Sequence, residues 1–384
     1  MKLIFHKKGL HYVVINIIVL LNTKHKINGG SVFLQKHENQ RYNHLIEQEI
    51  KKLPYYVREY QISSRRSIVT LYQYLTEYRR FFDWLRHNDF SQATNNTEIE
   101  LSVLEKLRQN DIMLYLDFMR NQNPNKPLSN GTMNRTINAL KSLYKYLTVT
   151  SDNNNGEPYF YRNVMNKIET YNTSETLNYR AHKMQSQLLP GQKQHDFLDF
   201  IDSEYLNTID PRAKTQFKNN KPRDLAIIAL ILATGVRVSE CADVDLADLN
   251  LSEQILNVVR KGGAQDTVPI ADFAVKYLTD YLATRSNTYQ PDKMQHALFL
   301  TIYHGATKRI SVNAIEKMVK KYSTAFGRPL HPHSLRHNLA SSIYQKSGGD
   351  IELVSQQLGQ KGTSATSLYT HLSLEEQRKA LKDL

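Results

Sequence analysis

Four short stretches of the chain hold side chains whose types suit the cleavage of a phosphodiester. In chain order they are ATGVRVSE with Arg237, RKGG with Lys261, HPHSLRHNLA with His333 and Arg336, and LYTH with Tyr369. Arginine stays charged and can bind two oxygens at once, so a pair of arginines suits the two sides of a phosphate. His333 and Arg336 are three residues apart, which places both on one face of a helix. Together the stretches predict a phosphate-binding site.

A tyrosine that attacks a phosphate needs help from such neighbours. Its phenol has a pKa of about 10 and must lose its proton during the attack, and a histidine can accept that proton near neutral pH. The 5′ oxygen is a poor leaving group, so a lysine on a hairpin can act as its proton donor. Cationic side chains can take the place of a metal. Each stretch alone is a weak signal, because such residues usually cap helices, form turns or pack in cores.

The elements that position these residues can be predicted from the same region. KPRDLAIIALILATG predicts a buried helix with Pro222 near its first turn and Gly235 at its end. QILNVVRKGGAQDTVPI predicts a β-hairpin whose turn carries Lys261. Tyr369 is expected on a short polar helix that presents the phenol instead of packing it in a core. Further helices, including that one, are expected at about 271–286, 312–325, 333–347, 350–358 and 364–370.

The amino-terminal half carries a helical pattern of its own. From about Tyr42 to Thr148, stretches such as SSRRSIVTLYQYLTEYRRFFDWLRHN place apolar residues at helical spacing. The polar stretch TSDNNNGEP then predicts a break. The predicted fold is mainly α with a small antiparallel β-sheet, in two domains. We expect an extension outside the fold over 1–41, a helical domain over 42–148, a linker region over 149–195 and a second domain over 196–384.

The composition favours a nucleic-acid partner. Lys and Arg number 50 against 37 Asp and Glu, and the net charge of +13 indicates nucleic acid or an anionic membrane, unless the chain is simply a basic enzyme. The apolar run YVVINIIVLL in the extension is too short to span a membrane and lacks a signal-peptide cleavage site. The single cysteine, Cys241, excludes an internal disulfide framework and fits a reducing cytoplasm. We expect no metal and no other cofactor.

The four motifs, in this order, resemble the catalytic domain of the tyrosine recombinases, the lambda-integrase-like family. The resemblance runs from about Phe197 to the carboxyl terminus, and the region from about Tyr42 to Thr148 resembles the family's core-binding domain, a SAM-like DNA-binding domain. The resemblance implies that Glu240 supports Arg237 without contacting the substrate. The resemblance implies catalytic roles as follows: Arg237 and Arg336 clamp the phosphate, Lys261 is the general acid, His333 handles the proton and Tyr369 is the nucleophile.

Gln360 departs from the family pattern. The family has a histidine, or in some members a tryptophan, just after the Leu-Gly that precedes the tyrosine, and here that position is glutamine. A glutamine amide still donates a hydrogen bond to a phosphate oxygen but carries no charge. Losing one charge-assisted donor weakens transition-state stabilisation by about 1–3 kcal/mol. We therefore expect Gln360 to join the catalytic set in a slower enzyme.

The resemblance also implies an activity and partners. Family members form a clamp around a double-stranded DNA site, act as four protomers on two sites, and cut and rejoin strands through a 3′-phosphotyrosyl link without ATP or metal. Similarity to Xer-type members implies resolution of chromosome dimers at cell division in the cytoplasm, helped by an FtsK-type DNA translocase. The alternatives are a phage or mobile-element integrase, or a DNA-binding relative whose catalysis is weakened at Gln360.

Overall fold

The computed structural model describes residues 32–153, 155–172, 175–260, 263–360, Tyr369 and Lys382, with side chains from Arg41 onward. The chain divides into two compact units, one containing Lys36–Ser186 and Tyr369 and the other containing residues 187–360. Each unit has its own buried apolar core. Residues 1–31 of the predicted extension lie outside the described residues, and the first helix begins at Val32, ten residues before the expected start of the helical domain.

The first unit is helical. Serine side chains begin its two long core helices, because Ser67 accepts a hydrogen bond from the backbone N–H of Thr70 and Ser129 accepts one from that of Thr132. Its α-helices are α1 Val32–Ile50, α2 Tyr55–Ser63, α3 Ile68–His87, α4 Leu101–Lys106, α5 Gln109–Asn121, α6 Asn130–Lys145 and α7 Leu177–Gln185, and its shorter turns are Asn96–Glu98, Tyr146–Thr150 and Val164–Lys167.

Helix α3 packs against α6 through aromatic residues and one buried polar pair. The hydroxyl of Tyr78 donates to the carbonyl of Ala139 at 2.9 Å, and the hydroxyl of Thr136 donates to Glu77 at 3.0 Å. The apolar stripe predicted for α3 is buried at Leu71, Leu75, Tyr78, Phe82 and Leu85. These side chains therefore form the core-facing side of α3, in agreement with their helical spacing.

The second unit is mainly α-helical with two small antiparallel sheets. β2 and β3 form the predicted hairpin, in which Val259 pairs with Gln265, and β1 adds to β2. β4 and β5 form a separate hairpin. Its helices are α8 Lys193–Asp199, α9 Pro211–Thr234, α10 Val238–Asp243, α11 Phe273–Tyr289, α12 Val312–Ala325, α13 Pro332–Lys346 and α14 Ile351–Leu358, its short helical turns are Phe200–Glu204, Tyr205–Asn207 and Leu246–Asp248, and its strands are β1 Leu249–Asn250, β2 Ile255–Val259, β3 Gln265–Pro269, β4 Leu300–Tyr303 and β5 Ala306–Arg309.

Helix α9 is the central helix of this unit. Its residues from Leu225 to Thr234 are buried, and it packs against α11 and α13. The expectation that Pro222 lies near its first turn is wrong, because the helix begins eleven residues earlier at Pro211, where the Asp210 side chain accepts from the N–H of Arg212 at 2.8 Å. The polar sequence before Pro222 concealed this amino-terminal half of the helix.

The remaining helices of the second unit agree with the sequence to within three residues. Helices α11 to α14 occupy the positions expected at 271–286, 312–325, 333–347 and 350–358. The helix expected at 364–370 lies outside the described residues except for Tyr369, which is helical. Within the part of the chain that the structure describes, no helix combines the length and the apolar character needed to cross a membrane.

Gly235 ends α9 at a point where a side chain has no room. Its φ is +67°, and a β-carbon there would meet Cδ2 of Leu358 at 2.8 Å and Cδ2 of Leu339 at 3.0 Å. Gly327, which follows α12, has φ +80° but open space around it. The two glycines therefore share the backbone requirement, and Gly235 alone adds close packing against α13 and α14.

We expect Gly235→Ala to lower the free energy of unfolding by about 2–4 kcal/mol, since a strained φ is joined by a steric overlap. Gly327→Ala serves as the matched control and should lower it by about 1 kcal/mol through the backbone alone. Urea denaturation of both variants and the wild type measures the difference. Equal losses in the two variants would contradict the packing argument.

Candidate active site

Arg237 stands at the start of α10, two residues after the glycine that ends α9. Its backbone N–H donates to Oε2 of Glu240 at 2.8 Å, and its side-chain Nη1 donates to Oε1 of the same carboxylate at 2.6 Å. Glu240 is buried, whereas the Arg237 side chain is 27% exposed. One carboxylate therefore holds both the backbone and one edge of the guanidinium, and the rest of the guanidinium can face a ligand.

Arg260 shares that carboxylate and was not predicted. It precedes Lys261 in the chain, and its side chain is only 6% exposed. Nη1 donates to Oε2 of Glu240 at 2.9 Å, and Nε donates to Oδ2 of Asp266 at 2.8 Å. The RKGG motif offered only a weak signal for this role, because an arginine beside a hairpin turn is usually solvated.

Arg336 connects two helix ends. It lies on α13, is buried, and donates through Nη1 to the carbonyl of Gly235 and through Nη2 to the carbonyl of Leu358 at 2.8 Å. The first carbonyl ends α9, and the second ends α14. Because Gly235 is two residues from Arg237, these bonds bring the two predicted clamp arginines to the same end of α9.

His333 lies one helical turn before Arg336. Loss of hydration where its ring meets the protein lowers its pKa, and the positive charges of Arg336 and Arg237 lower it further, while Glu316 and Glu240 act in the opposite direction. The structure therefore places His333 within the electrostatic influence of both arginines. A lowered pKa keeps the ring neutral at pH 7, which is the state in which imidazole accepts a proton.

Gln360 follows α14 and is held by its backbone. Its N–H donates to the carbonyl of Ser355 at 3.0 Å, and its carbonyl accepts from the Ser355 hydroxyl at 3.0 Å. Its side-chain Oε1 is buried and has no hydrogen-bond partner among the described residues. The backbone of Gln360 is thus fixed next to the α14 end that Arg336 binds.

The two remaining predicted site residues, Lys261 and Tyr369, lie in or beside segments outside the described residues. Lys261 lies outside the described residues, and on either side of it the backbone N–H of Arg260 donates to the carbonyl of Ala264 at 2.7 Å. Tyr369 groups with the first unit and is 1% exposed. The expectation that its phenol is presented and unpacked is wrong for this structure, because the ring gains more from burial than from solvent.

His337, which lies on the same helix as His333, is a second histidine whose pKa is lowered. Burial lowers its pKa to about 4, and the charges of His333 and Arg336 contribute in the same direction. The unfolded chain binds this proton with a pKa of about 6.5, so acid favours unfolding. The contribution of neutral His337 to the free energy of unfolding is therefore fully present above about pH 6.5 and is lost as the pH falls towards 4.

We expect the free energy of unfolding of the wild type to fall by up to about 3 kcal/mol between pH 6.5 and 4 through His337. His337→Gln keeps a polar side chain that does not titrate and should remove most of that fall. Urea denaturation of both proteins at a series of pH values measures it. A fall of the same size in the variant would show that other groups cause it.

Comparison with known proteins identifies the family of this chain. The family model described as the phage integrase family matches residues 199–376. Tyrosine recombinase XerS of Streptococcus pyogenes serotype M5 (strain Manfredo) is 46% identical over 341 residues, which cover 86% of this chain and 96% of that protein.

Solved structures support the same fold. The XerH site-specific recombinase bound to a palindromic difH substrate superposes with a TM-score of 0.58 at 22% identity, covering 82% of this chain and 78% of that one. A lambda integrase dimer bound to a COC′ core site gives 0.55 at 12% identity, covering 83% and 95%. These similarities concern the two-domain recombinase fold, and the identity to XerS concerns the family. The chain, with its arginines gathered around the end of α9, belongs to the tyrosine recombinases.

Proposed function

We propose that this chain is a site-specific recombinase of the Xer type that cuts and rejoins DNA strands through a 3′-phosphotyrosyl intermediate. The observation that carries the proposal is that Arg237 and Arg336 both lie at the end of α9. Arg336 is held there by its bond to the carbonyl of Gly235, two residues before Arg237. These residues are about a hundred positions apart in the sequence, and both are implied as phosphate ligands by the family resemblance. A pair of arginines held this way suits a phosphate diester.

The reaction follows from the residue types. The Tyr369 oxygen forms a bond to phosphorus while the bond from phosphorus to the 5′ oxygen breaks. Arg237 and Arg336 stabilise the charge on the non-bridging oxygens, and neutral His333 accepts the phenol proton. Lys261 donates a proton to the leaving 5′ oxygen. Rejoining is the reverse, in which a 5′ hydroxyl attacks the phosphotyrosyl bond.

The burial of Tyr369 adds a step to this scheme. A phenol that is 1% exposed cannot contact a phosphate of DNA. The residue must therefore become accessible before cleavage, and we infer that DNA binding or assembly of several copies exposes it. Such a requirement protects the nucleophile until a site is bound.

The biological setting rests on the relatives. We propose that residues 42–148 form the core-binding domain and residues 196–384 the catalytic domain, joined by 149–195, and that both bind double-stranded DNA with the help of the net charge of +13. By analogy with XerS-type proteins, four copies act on two DNA sites in the cytoplasm. Resolution of chromosome dimers at cell division, assisted by an FtsK-type translocase, is the role that fits this group.

Tyr369→Phe tests the nucleophile. The variant should bind DNA as the wild type does and form no covalent protein–DNA adduct, because phenylalanine has no oxygen to bond to phosphorus. The substrate is a nicked duplex selected by covalent capture with the wild-type chain from a random-sequence library, and it releases a short fragment that prevents rejoining. Denaturing gels measure the adduct. A normal yield of adduct from Tyr369→Phe would falsify the assignment.

Substitutions at Gln360 test the position at which the chain departs from the family pattern. Gln360→Ala removes the amide donor and should slow single-turnover cleavage of the selected nicked duplex by about ten-fold, which corresponds to about 1.4 kcal/mol. Gln360→His restores a donor that can carry charge and should match or exceed the wild type. Gln356→Ala, at an exposed position on α14, is the control and should leave the rate unchanged. If Gln360→Ala cleaves as fast as the wild type, Gln360 does not contact the transition state.

A further inference from the structure

We propose that Arg260 is a positioning residue of the strand-cleavage reaction, which holds Arg237 in place through Glu240 and holds the end of α14 next to Gln360. The inference rests on the proposed function, since it assigns Arg260 to the phosphate clamp formed by Arg237 and Arg336. Arg260 itself does not contact the substrate in this scheme, because its guanidinium is buried and engaged on three sides.

The first part of the argument concerns the shared carboxylate. Oε1 of Glu240 accepts from the Arg237 side chain, and Oε2 accepts from both the Arg237 backbone and Arg260. Glu240 is buried, and a buried carboxylate is stable only when its oxygens are satisfied. Arg260 therefore neutralises part of the negative charge of Glu240, which Arg237 would otherwise have to neutralise alone. The guanidinium of Arg237 stays anchored by one edge while more of its charge remains for a phosphate.

The second part concerns the end of α14. Nη2 of Arg260 donates to the carbonyl of Gln357 at 3.3 Å, and Arg336 binds the next carbonyl, that of Leu358. Two arginines thus satisfy consecutive carbonyls that a helix end leaves without partners. The chain then passes over Arg260 at Gly359, where a β-carbon would lie 2.4 Å from Nε and 2.7 Å from Cζ of the guanidinium. Only glycine allows the backbone to lie this close, and Gln360 follows directly.

The third part concerns charge balance. Arg237, Glu240, Arg260 and Asp266 form a chain of alternating charges in which each buried charge contacts an opposite one. Removing Arg260 leaves Glu240 with Arg237 as its only cation among these residues. The carboxylate then binds Arg237 more strongly and competes with the phosphate. The variant should therefore cleave more slowly, because Arg237 stabilises the charge on the non-bridging oxygens less well.

Arg260→Met is the test variant, because methionine fills a similar volume without charge. On the selected nicked duplex it should bind DNA with the affinity of the wild type and cleave more slowly by on the order of 10- to 100-fold, the usual effect of losing a residue that orients a catalytic group. Arg223→Met is the matched control. Arg223 is also a buried arginine of the second unit, 8% exposed, that pairs with Asp224 and donates to a carbonyl, that of Leu300. Its hydrogen bonds among the described residues go to Asp224 and Leu300 and to none of the described site residues. It should lose stability and keep the wild-type rate once bound to DNA.

Two modified substrates separate positioning from a general structural loss. A methylphosphonate at the scissile position lacks the charge on a non-bridging oxygen that Arg237 stabilises. The deficits of Arg237→Met and Arg260→Met relative to the wild type should therefore both shrink on it. A 5′-bridging phosphorothiolate has a sulfur leaving group that needs no proton donor, so it should rescue Lys261→Met and leave the Arg260→Met deficit unchanged.

The outcomes are distinct. Wild-type cleavage by DNA-bound Arg260→Met, or a deficit that persists on the methylphosphonate while that of Arg237→Met shrinks, overturns the role of Arg260. A deficit of Arg237→Met that does not shrink, or an adduct formed by Tyr369→Phe, instead overturns the proposed function. Should Arg260→Met not fold, Asp266→Asn replaces it, since Asp266 is 36% exposed and releases only the Nε contact. It should give a smaller deficit with the same dependence on the substrate.

Discussion

The buried carboxylate of Glu240 is the interaction on which the candidate site depends. It is the point where Arg237, which directly precedes α10, meets Arg260, which directly follows β2. Charged groups in a protein interior lose their hydration, and the loss is offset only when geometry and hydrogen bonds are good. Here each oxygen of the carboxylate accepts at least one bond between 2.6 and 2.9 Å. A residue that need never contact DNA therefore fixes the direction of an arginine that the proposed reaction requires.

Backbone carbonyls at helix ends hold the other contacts of the site arginines. Arg336 binds the carbonyls of Gly235 and Leu358, and Arg260 binds that of Gln357. Carbonyls at the carboxyl ends of helices have no partners within the helix and carry the negative end of its dipole, so they stabilise nearby cations. Gly235 and Gly359 allow the approach, because a side chain at either position would overlap its neighbours. The two glycines and the arginines thus form a single packing arrangement.

Much of this arrangement could be predicted from local sequence patterns, and the rest could not. The helices α11 to α14 and the β2–β3 hairpin follow from short-range periodicity and turn residues, and Gly235 was identified as a helix end for the same reason. The long start of α9 was missed, since its polar residues resemble a loop before Pro222. Arg260 was missed because two of its three partners, Glu240 and Gln357, lie 20 and 97 residues away in the chain. The burial of Tyr369 likewise depends on tertiary packing, which a short polar stretch does not reveal.

The way each arginine is held decides how much of its charge a substrate can use. A carbonyl is neutral, so the bonds from Arg336 to the carbonyls of Gly235 and Leu358 orient the guanidinium without neutralising its charge. Arg237 is held by a carboxylate instead, and its charge remains useful because Arg260 shares that carboxylate. Partial burial of the ring lowers the pKa of His333, and the same positive charges lower it further and keep the ring neutral. A bound phosphate offsets those charges and raises the affinity of the ring for a proton, so His333 becomes a stronger proton acceptor when the substrate is in place.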